Sequence, residues 1–230
     1  MLTRQLEPEV MDTPDEARDY DAMDHGPVNR RFVDDFLAFC LATPLSQRLT
    51  DLNQPLSVLD VGTGTALIPI ELCCRSVTCR ATAIDLSAEM LKLAELNINR
   101  AELSNVIRVE LIDAKQTPYA EASFDAVISN SIVHHIPEPR AAFAEMTRLL
   151  RPGGVLFVRD LLRPETETEV EHFVSLYAGE ENAHSQQLFR ASLHAALTLA
   201  EVRETVQPFG IPSAAVMQTS DRHWTLEWQA

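Results

Sequence analysis

The stretch VLDVGTGTALIPIEL, Val58 to Leu72, sets Gly62 and Gly64 between an apolar run and a helix-like run. A glycine-rich turn between a buried strand and a helix lets backbone approach a ligand closely. It also aims the helix N-terminus at that ligand. Phosphates are held in such turns, and so are other cofactors with a ribose and a charged tail. The rest of the chain has to decide between them.

Working outward, SVLDV reads as a buried strand, ALIPIELCCR as a helix and RATAID as a second strand. SAEMLKLAELNINRAE follows as an amphipathic helix, with Ser87 as N-cap and Met90, Leu91, Ala94 and Ile98 facing inward. VIRVELI and FDAVISN are strands, and EPRAAFAEMTRLL is a helix stopped by Pro152-Gly153-Gly154, a turn that feeds the strand VLFVRD. Such alternation predicts a doubly wound, mostly parallel α/β sheet with helices on both faces. Upstream, a helix is expected from Pro27; the residues before it are acidic and weakly periodic. After Asp160 come three helices, TETEVEHFVSLYAG, SQQLFRASLHAAL and TLAEVRETVQPFG. SAAVMQTS and RHWTLEWQ then close the sheet as an antiparallel hairpin, which makes seven strands in all.

The totals limit the partners. With 19 Lys and Arg against 34 Asp and Glu, the net charge is −15, so phosphate backbones and anionic lipid surfaces are disfavoured. No apolar run has signal-peptide or membrane-spanning length, and a cytoplasmic protein is the expectation. Cys40, Cys73, Cys74 and Cys79 form no Cys-x-x-Cys pair and are expected to pack as small apolar residues rather than capture a metal.

A dinucleotide fingerprint would place a third glycine where Leu67 stands. Asp85 strengthens the loop, because it lies 23 residues beyond Gly62. That is close to the ~20 expected of a carboxylate that binds a ribose diol. The run Asp60-Val61-Gly62-Thr63-Gly64-Thr65-Ala66 resembles the first motif of class I S-adenosylmethionine-dependent methyltransferases, with Ala66 where a glycine is usual. Phe124 to Asn130 and Leu149 to Gly154 resemble that family's fourth- and fifth-strand motifs. His134-His135-Ile136-Pro137-Glu138-Pro139 is similar to a run in its small-molecule members, the ubiquinone and menaquinone biosynthesis type among them. The match covers about Pro55 to Asp160.

The resemblance implies a Rossmann-like fold, S-adenosyl-L-methionine as cofactor and a small-molecule acceptor. It places backbone at Gly62 and Gly64 beside the methionine part, with Asp60 orienting the loop or reaching the ammonium through water. Asp85 would accept the ribose hydroxyls and Leu86 would pack on adenine. Asp113 and Ala114 would read the adenine edge, and Asn130 and Ser131 would offer further polar contacts. Tyr20 and Met23, in the acidic N-terminal stretch, are candidates for a lid over the sulfonium; a solvated tail is the other reading. The chain is expected to be one methyltransferase domain over 1–230: an N-terminal lid and helices (1–50), a cofactor-binding core (55–160), a helical substrate cover (161–197) and a closing helix and hairpin (198–230).

Methyl transfer from a sulfonium can run on alignment and exclusion of water, and needs a general base only if the acceptor carries a proton. His134 and His135 are the catalytic candidates for that role; capping and packing the turn before Pro137 is the alternative. No metal is expected, because no acidic residue at suitable spacing accompanies the pair. Two rival functions remain: a protein that binds S-adenosylmethionine without methyl transfer, and a nucleotide-dependent dehydrogenase, which the missing third glycine and the Asp113-Ala114 pair disfavour. Oligomeric state is not legible.

Overall fold

The structure is a computed structural model that describes residues 2–10, 12–22, 25–75 and 77–230. Met23 therefore lies outside the described residues. The elements run α1 (Pro14–Ala22), α2 (Gly26–Leu41), β1 (Leu56–Val61), α3 (Leu67–Cys73), β2 (Cys79–Asp85), α4 (Ala88–Arg100), β3 (Ile107–Leu111), β4 (Phe124–Asn130), α5 (Arg140–Leu149) and β5 (Leu150–Leu161). There follow α6 (Glu167–Ala178), α7 (Ala183–Ala195), α8 (Leu199–Val206), β6 (Val216–Gln218) and β7 (His223–Gln229). Seven strands form one sheet in the order β3-β2-β1-β4-β5-β7-β6. The pairs β1–β2, β1–β4 and β2–β3 are parallel, and β6–β7 is the antiparallel hairpin.

Two compact units divide the chain. One comprises Met1–Glu9, Ser131–Arg140 and Arg159–Leu226; the other comprises Val10–Asn130, Ala141–Val158 and Glu227–Ala230. In the larger unit, Phe32 and Phe36 of α2 pack edge-on against Phe157 with ring centroids 5.0 and 5.7 Å away. Met90, Leu91, Ala94 and Ile98 are the buried residues of α4, the face its periodicity predicts. Leu91, Ala94 and Ile98 pack on Ala81, Ala83 and Ile107 of the neighbouring strands. Ser87 caps α4 by accepting from Met90 N at 3.1 Å. In the smaller unit, Val170 and Val174 of α6 meet Leu193 and Ala196 over Leu161. The capping box Thr166–Glu169 starts α6, where first-turn carboxylates suit the helix dipole.

Three local expectations need correcting. The acidic N-terminus contains a helix, α1, whose Ala17 is buried. Strand β5 starts at Leu150, before the Pro-Gly-Gly run rather than after it. The reason is pairing: Gly153 N donates to Ala230 O and Ala230 N donates to Gly154 O, both at 2.9 Å. A Cβ on Gly154 would meet Asp125 O at 2.8 Å, so a close backbone approach, not a turn, requires that glycine. The sixth strand is also shorter than its alternation suggests, because Ser213–Ala215 coil into a 3₁₀ turn.

Candidate functional site

The chain leaves β1 towards β2 on one side and returns through β4 on the other, so strand order reverses between β1 and β4. Open α/β sheets bind ligands outside the carboxyl ends of the strands at such a point. The glycine loop sits there. Gly62 N and Thr63 N both donate to Ile84 O at 2.9 Å, folding the loop back on β2. Gly62, Gly64 and Ala66 all have left-handed backbone, with φ of 71°, 56° and 63°. Ala66 is fully buried and precedes α3. Asp85 closes the loop, its Oδ2 accepting from Gly64 N at 2.8 Å and its Oδ1 from Ser87 N at 2.9 Å. Burial raises its carboxyl against those backbone bonds.

Asp60, near the end of β1, is a buried acid beside the loop. It is 2% exposed, and its Oδ2 has no hydrogen-bond partner. Burial, opposed by the Thr63 hydroxyl and helped by the charge of Asp85, pushes its carboxyl up to about 7. A buried orphan oxygen beside a glycine cradle is suited to a cationic or hydrogen-bonding ligand. Leu86, the residue after β2, is a 41% exposed apolar side chain. Asp113 and Ala114 are half-buried just beyond β3; Asp113 Oδ1 accepts from Lys115 N at 2.8 Å and pairs with its Nζ at 3.1 Å. Ile112 N donates to Asp85 O at 3.0 Å, which ties this corner to the loop. Asn130 ends β4, two residues past Ile128, the partner of Asp60.

The N-terminal segment docks on this loop. The ring of Tyr20 lies 3.7 Å from where a Cβ on Gly64 would stand. Asn97 Nδ2 donates to Asp21 Oδ1 at 2.8 Å and to Thr65 O at 3.2 Å, and Ser87 Oγ donates to Asp12 Oδ1 at 3.2 Å. Burial first, then Asp85, Asp60 and Asp21, push the Tyr20 hydroxyl up to about 12, so it stays neutral.

Ser131, His134 and His135 belong to the smaller unit, in a different set of contacts. Ser131 is left-handed at φ 58°, and its N donates to Arg159 O at 2.9 Å. Asp160, 0% exposed, holds the following turn. Its Oδ2 accepts from Val133 N at 2.5 Å and from His134 N at 3.3 Å. Its Oδ1 accepts from Leu161 N at 2.6 Å and lies 2.5 Å from His134 Nδ1. Burial opposes a proton on His134, but Asp160 outweighs it and raises the imidazole. Burial and the neighbouring His134 charge push His135 down to about 3, so it is neutral. Glu7 Oε1 lies 3.5 Å from His134 Nε2 and 3.2 Å from His135 Nδ1. Arg4 fixes this corner by donating to the carbonyls of His134, Ile136, Pro137 and Ala195.

Sequence reasoning missed Asp160 and Glu7. An acid closing the apolar run VLFVRD was a usable signal for the first. Glu7 carried none, because it stands far from the histidines among other acids.

Residues 59–158 match the methyltransferase domain family. That stretch, under half of the chain, takes in the glycine loop, Asp85, Asp113 and Asn130. It is 33% identical over 118 residues to a demethylmenaquinone methyltransferase of Porphyromonas gingivalis, covering 51% of this chain and 48% of that one. It is 37% identical over 109 residues to a ubiquinone biosynthesis O-methyltransferase of Xanthomonas oryzae pv. oryzae, covering 46% and 43%. The matches thus span about half the length of these relatives. A SAM-dependent methyltransferase from Aquifex aeolicus shares the fold at TM-score 0.62 and 16% identity, over 94% of this chain and 98% of that one. Among the described residues, no helix is long and apolar enough to cross a membrane.

Proposed function

We propose that this protein binds S-adenosyl-L-methionine and transfers its methyl group to a small-molecule acceptor by in-line displacement. The observation that carries the reading is the buried, unpartnered oxygen of Asp60 beside the glycine loop at the switch point. When bound, the cofactor would supply a methyl already activated by a sulfonium. The protein's part would be to hold, align and dehydrate. Gly62 and Gly64 let backbone approach, and Asp60 offers charge to the amino-acid end. Asp85 already accepts from the backbone N–H groups of Gly64, Ser87 and Leu86, and the acceptor capacity left over would take a ribose hydroxyl. Leu86, Asp113 and Ala114 would flank the base, with Asn130 and Ser131 as further polar contacts. Tyr20, in the segment that docks on the loop, would cover the reacting centre and exclude water, and Met23, outside the described residues, is the second candidate for that role.

His134 and His135 would act as a base only for an acceptor that brings a proton. The names of the quinone-pathway relatives make phenols and hydroquinones the first acceptors to screen. The net charge of −15 argues against nucleic-acid and membrane-surface acceptors. Isothermal calorimetry should show binding of S-adenosylmethionine and S-adenosylhomocysteine, and none of NADH. Asp85→Ala should weaken it by about 10- to 100-fold, as expected when a charged acceptor worth roughly 1.5–3 kcal/mol is lost. Binding of NADH alone would return the dehydrogenase reading. Binding without product from any acceptor would favour a protein that retains the cofactor without transfer.

The Asp60 carboxyl gives the same reading a pH signature. Free, it titrates near 7; beside a bound ammonium its carboxylate form is favoured, so the bound pKa is lower. Cofactor affinity should therefore be full above pH 7 and fall by up to about tenfold per pH unit below it. An affinity flat from pH 8 to about 5.5 would remove Asp60 from the site.

A further inference from the structure

The smaller unit carries a second constellation, one that holding the cofactor does not use. Glu7 Oε1, a nitrogen of His134 and a nitrogen of His135 lie within 4.8 Å of one another. The three side chains are 8%, 3% and 19% exposed. Glu7 Oε1 and His135 Nδ1 have no hydrogen-bond partner, although both are buried. Buried polar atoms without partners are uncommon, and here two of them face each other. A single proton on Glu7 could satisfy one of the two facing nitrogens but not both.

We propose that Glu7, His134 and His135 bind a divalent transition-metal ion, zinc(II) fitting the donor set best. Two imidazoles and a carboxylate suit zinc, iron and nickel more than magnesium or calcium, which favour all-oxygen shells. The ligand atoms are already oriented for it. Asp160 takes Nδ1 of His134 at 2.5 Å and leaves Nε2 pointing at Glu7. The backbone of Pro8 hydrogen-bonds the His135 ring, and Pro8 has only its carbonyl to offer, so Nδ1 is left free. Such carboxylate–histidine and carbonyl–histidine pairs fix the tautomer of metal ligands. The contacts of Glu7 at 3.2 and 3.5 Å match the spacing of ligands that share one ion at about 2.0–2.2 Å. Glu7 Oε2 is braced by the Ser192 hydroxyl at 3.3 Å, and Arg4 holds the carbonyls around the pair. The ion would clip the irregular N-terminal segment, residues 2–9, to the turn at Val133–His135.

The test needs no methyl acceptor. Chelator-stripped full-length protein is titrated with zinc(II) by calorimetry and with cobalt(II) by absorption, and melting is followed with and without metal. One equivalent should bind and raise Tm, and the cobalt spectrum should lack a thiolate band. Glu7→Gln and His135→Ala should each bind at least about 100-fold more weakly, since loss of a mere supporting contact already costs 10- to 100-fold. Cys73→Ser should bind as the parent does. Absence of stoichiometric binding, equal affinity in Glu7→Gln, or a thiolate band that Cys73→Ser abolishes would each overturn the proposal. Either result leaves cofactor binding by the larger unit to its own test.

Discussion

Asp160→Ala should lose about 3–5 kcal/mol of stability, the range for removing one partner of a buried charged pair. Four donors converge on this carboxylate, three of them backbone N–H groups of Val133, His134 and Leu161. Alanine leaves those three and His134 Nδ1 facing an apolar methyl with no water to replace the lost oxygens. Asp160→Asn separates charge from shape. Its amide keeps one acceptor oxygen but turns an NH₂ towards donors, so it should recover part of the loss and no more. Urea unfolding of the two variants measures both. A loss below about 1 kcal/mol for alanine, the level of an ordinary hydrogen bond, would show that the turn is held by Arg4 instead.

Asp125→Ala should be nearly as damaging, by about 2–4 kcal/mol, for a different reason. Asp125 sits at the start of β4 with a side chain only 3% exposed. It accepts from Arg48 at 2.6 and 3.0 Å, from Arg151 at 2.9 Å and from Ser57 N at 2.8 Å. Both arginines reach solvent, at 30% and 44% exposed, so part of their charge is relieved by water once the carboxylate is gone. The effect should also be visible in acid. Burial opposes ionisation, but Arg48, Ser57 and Arg151 together pull the carboxyl below its usual value. Its contribution is therefore fully present above the unfolded pKa of about 3.9 and disappears as pH falls through the lower folded value. Parent and Asp125→Ala should converge in stability below that window, while at neutral pH the variant's cofactor affinity stays close to the parent's. A large loss of affinity with unchanged stability would reverse the assignment.

These two aspartates show where sequence reading reached and where it stopped. Helix α4 was legible residue by residue because its burial follows a single period, from Met90 to Ile98. The loop at Gly62 and its partner Asp85 were legible because their spacing is set by one βαβ unit. Asp125 was visible in the sequence, but its role depends on Arg48 and Arg151, brought in by other elements. Glu7 meets the histidines only through tertiary folding, and no local pattern carries that information. The start of β5 was misplaced for a related reason: Pro-Gly-Gly has turn chemistry, yet pairing with the last residue of the chain overrides it.

Ala66 has a bearing on how such sequences change over time. Its left-handed backbone should disfavour any side chain by about 1–2 kcal/mol. Against that, its methyl is buried among Ala81, Ala83, Leu91 and Ile98, an environment worth roughly 0.8 kcal/mol per carbon. Alanine also leaves the unfolded chain less freedom than glycine does, by about 0.4–1 kcal/mol. The opposing effects nearly cancel, so Ala66→Gly should shift stability by less than about 1 kcal/mol in either direction. Drift between the two residues is then nearly invisible to selection on folding. A signature that insists on glycine at this place would reject chains whose backbone meets the requirement with alanine.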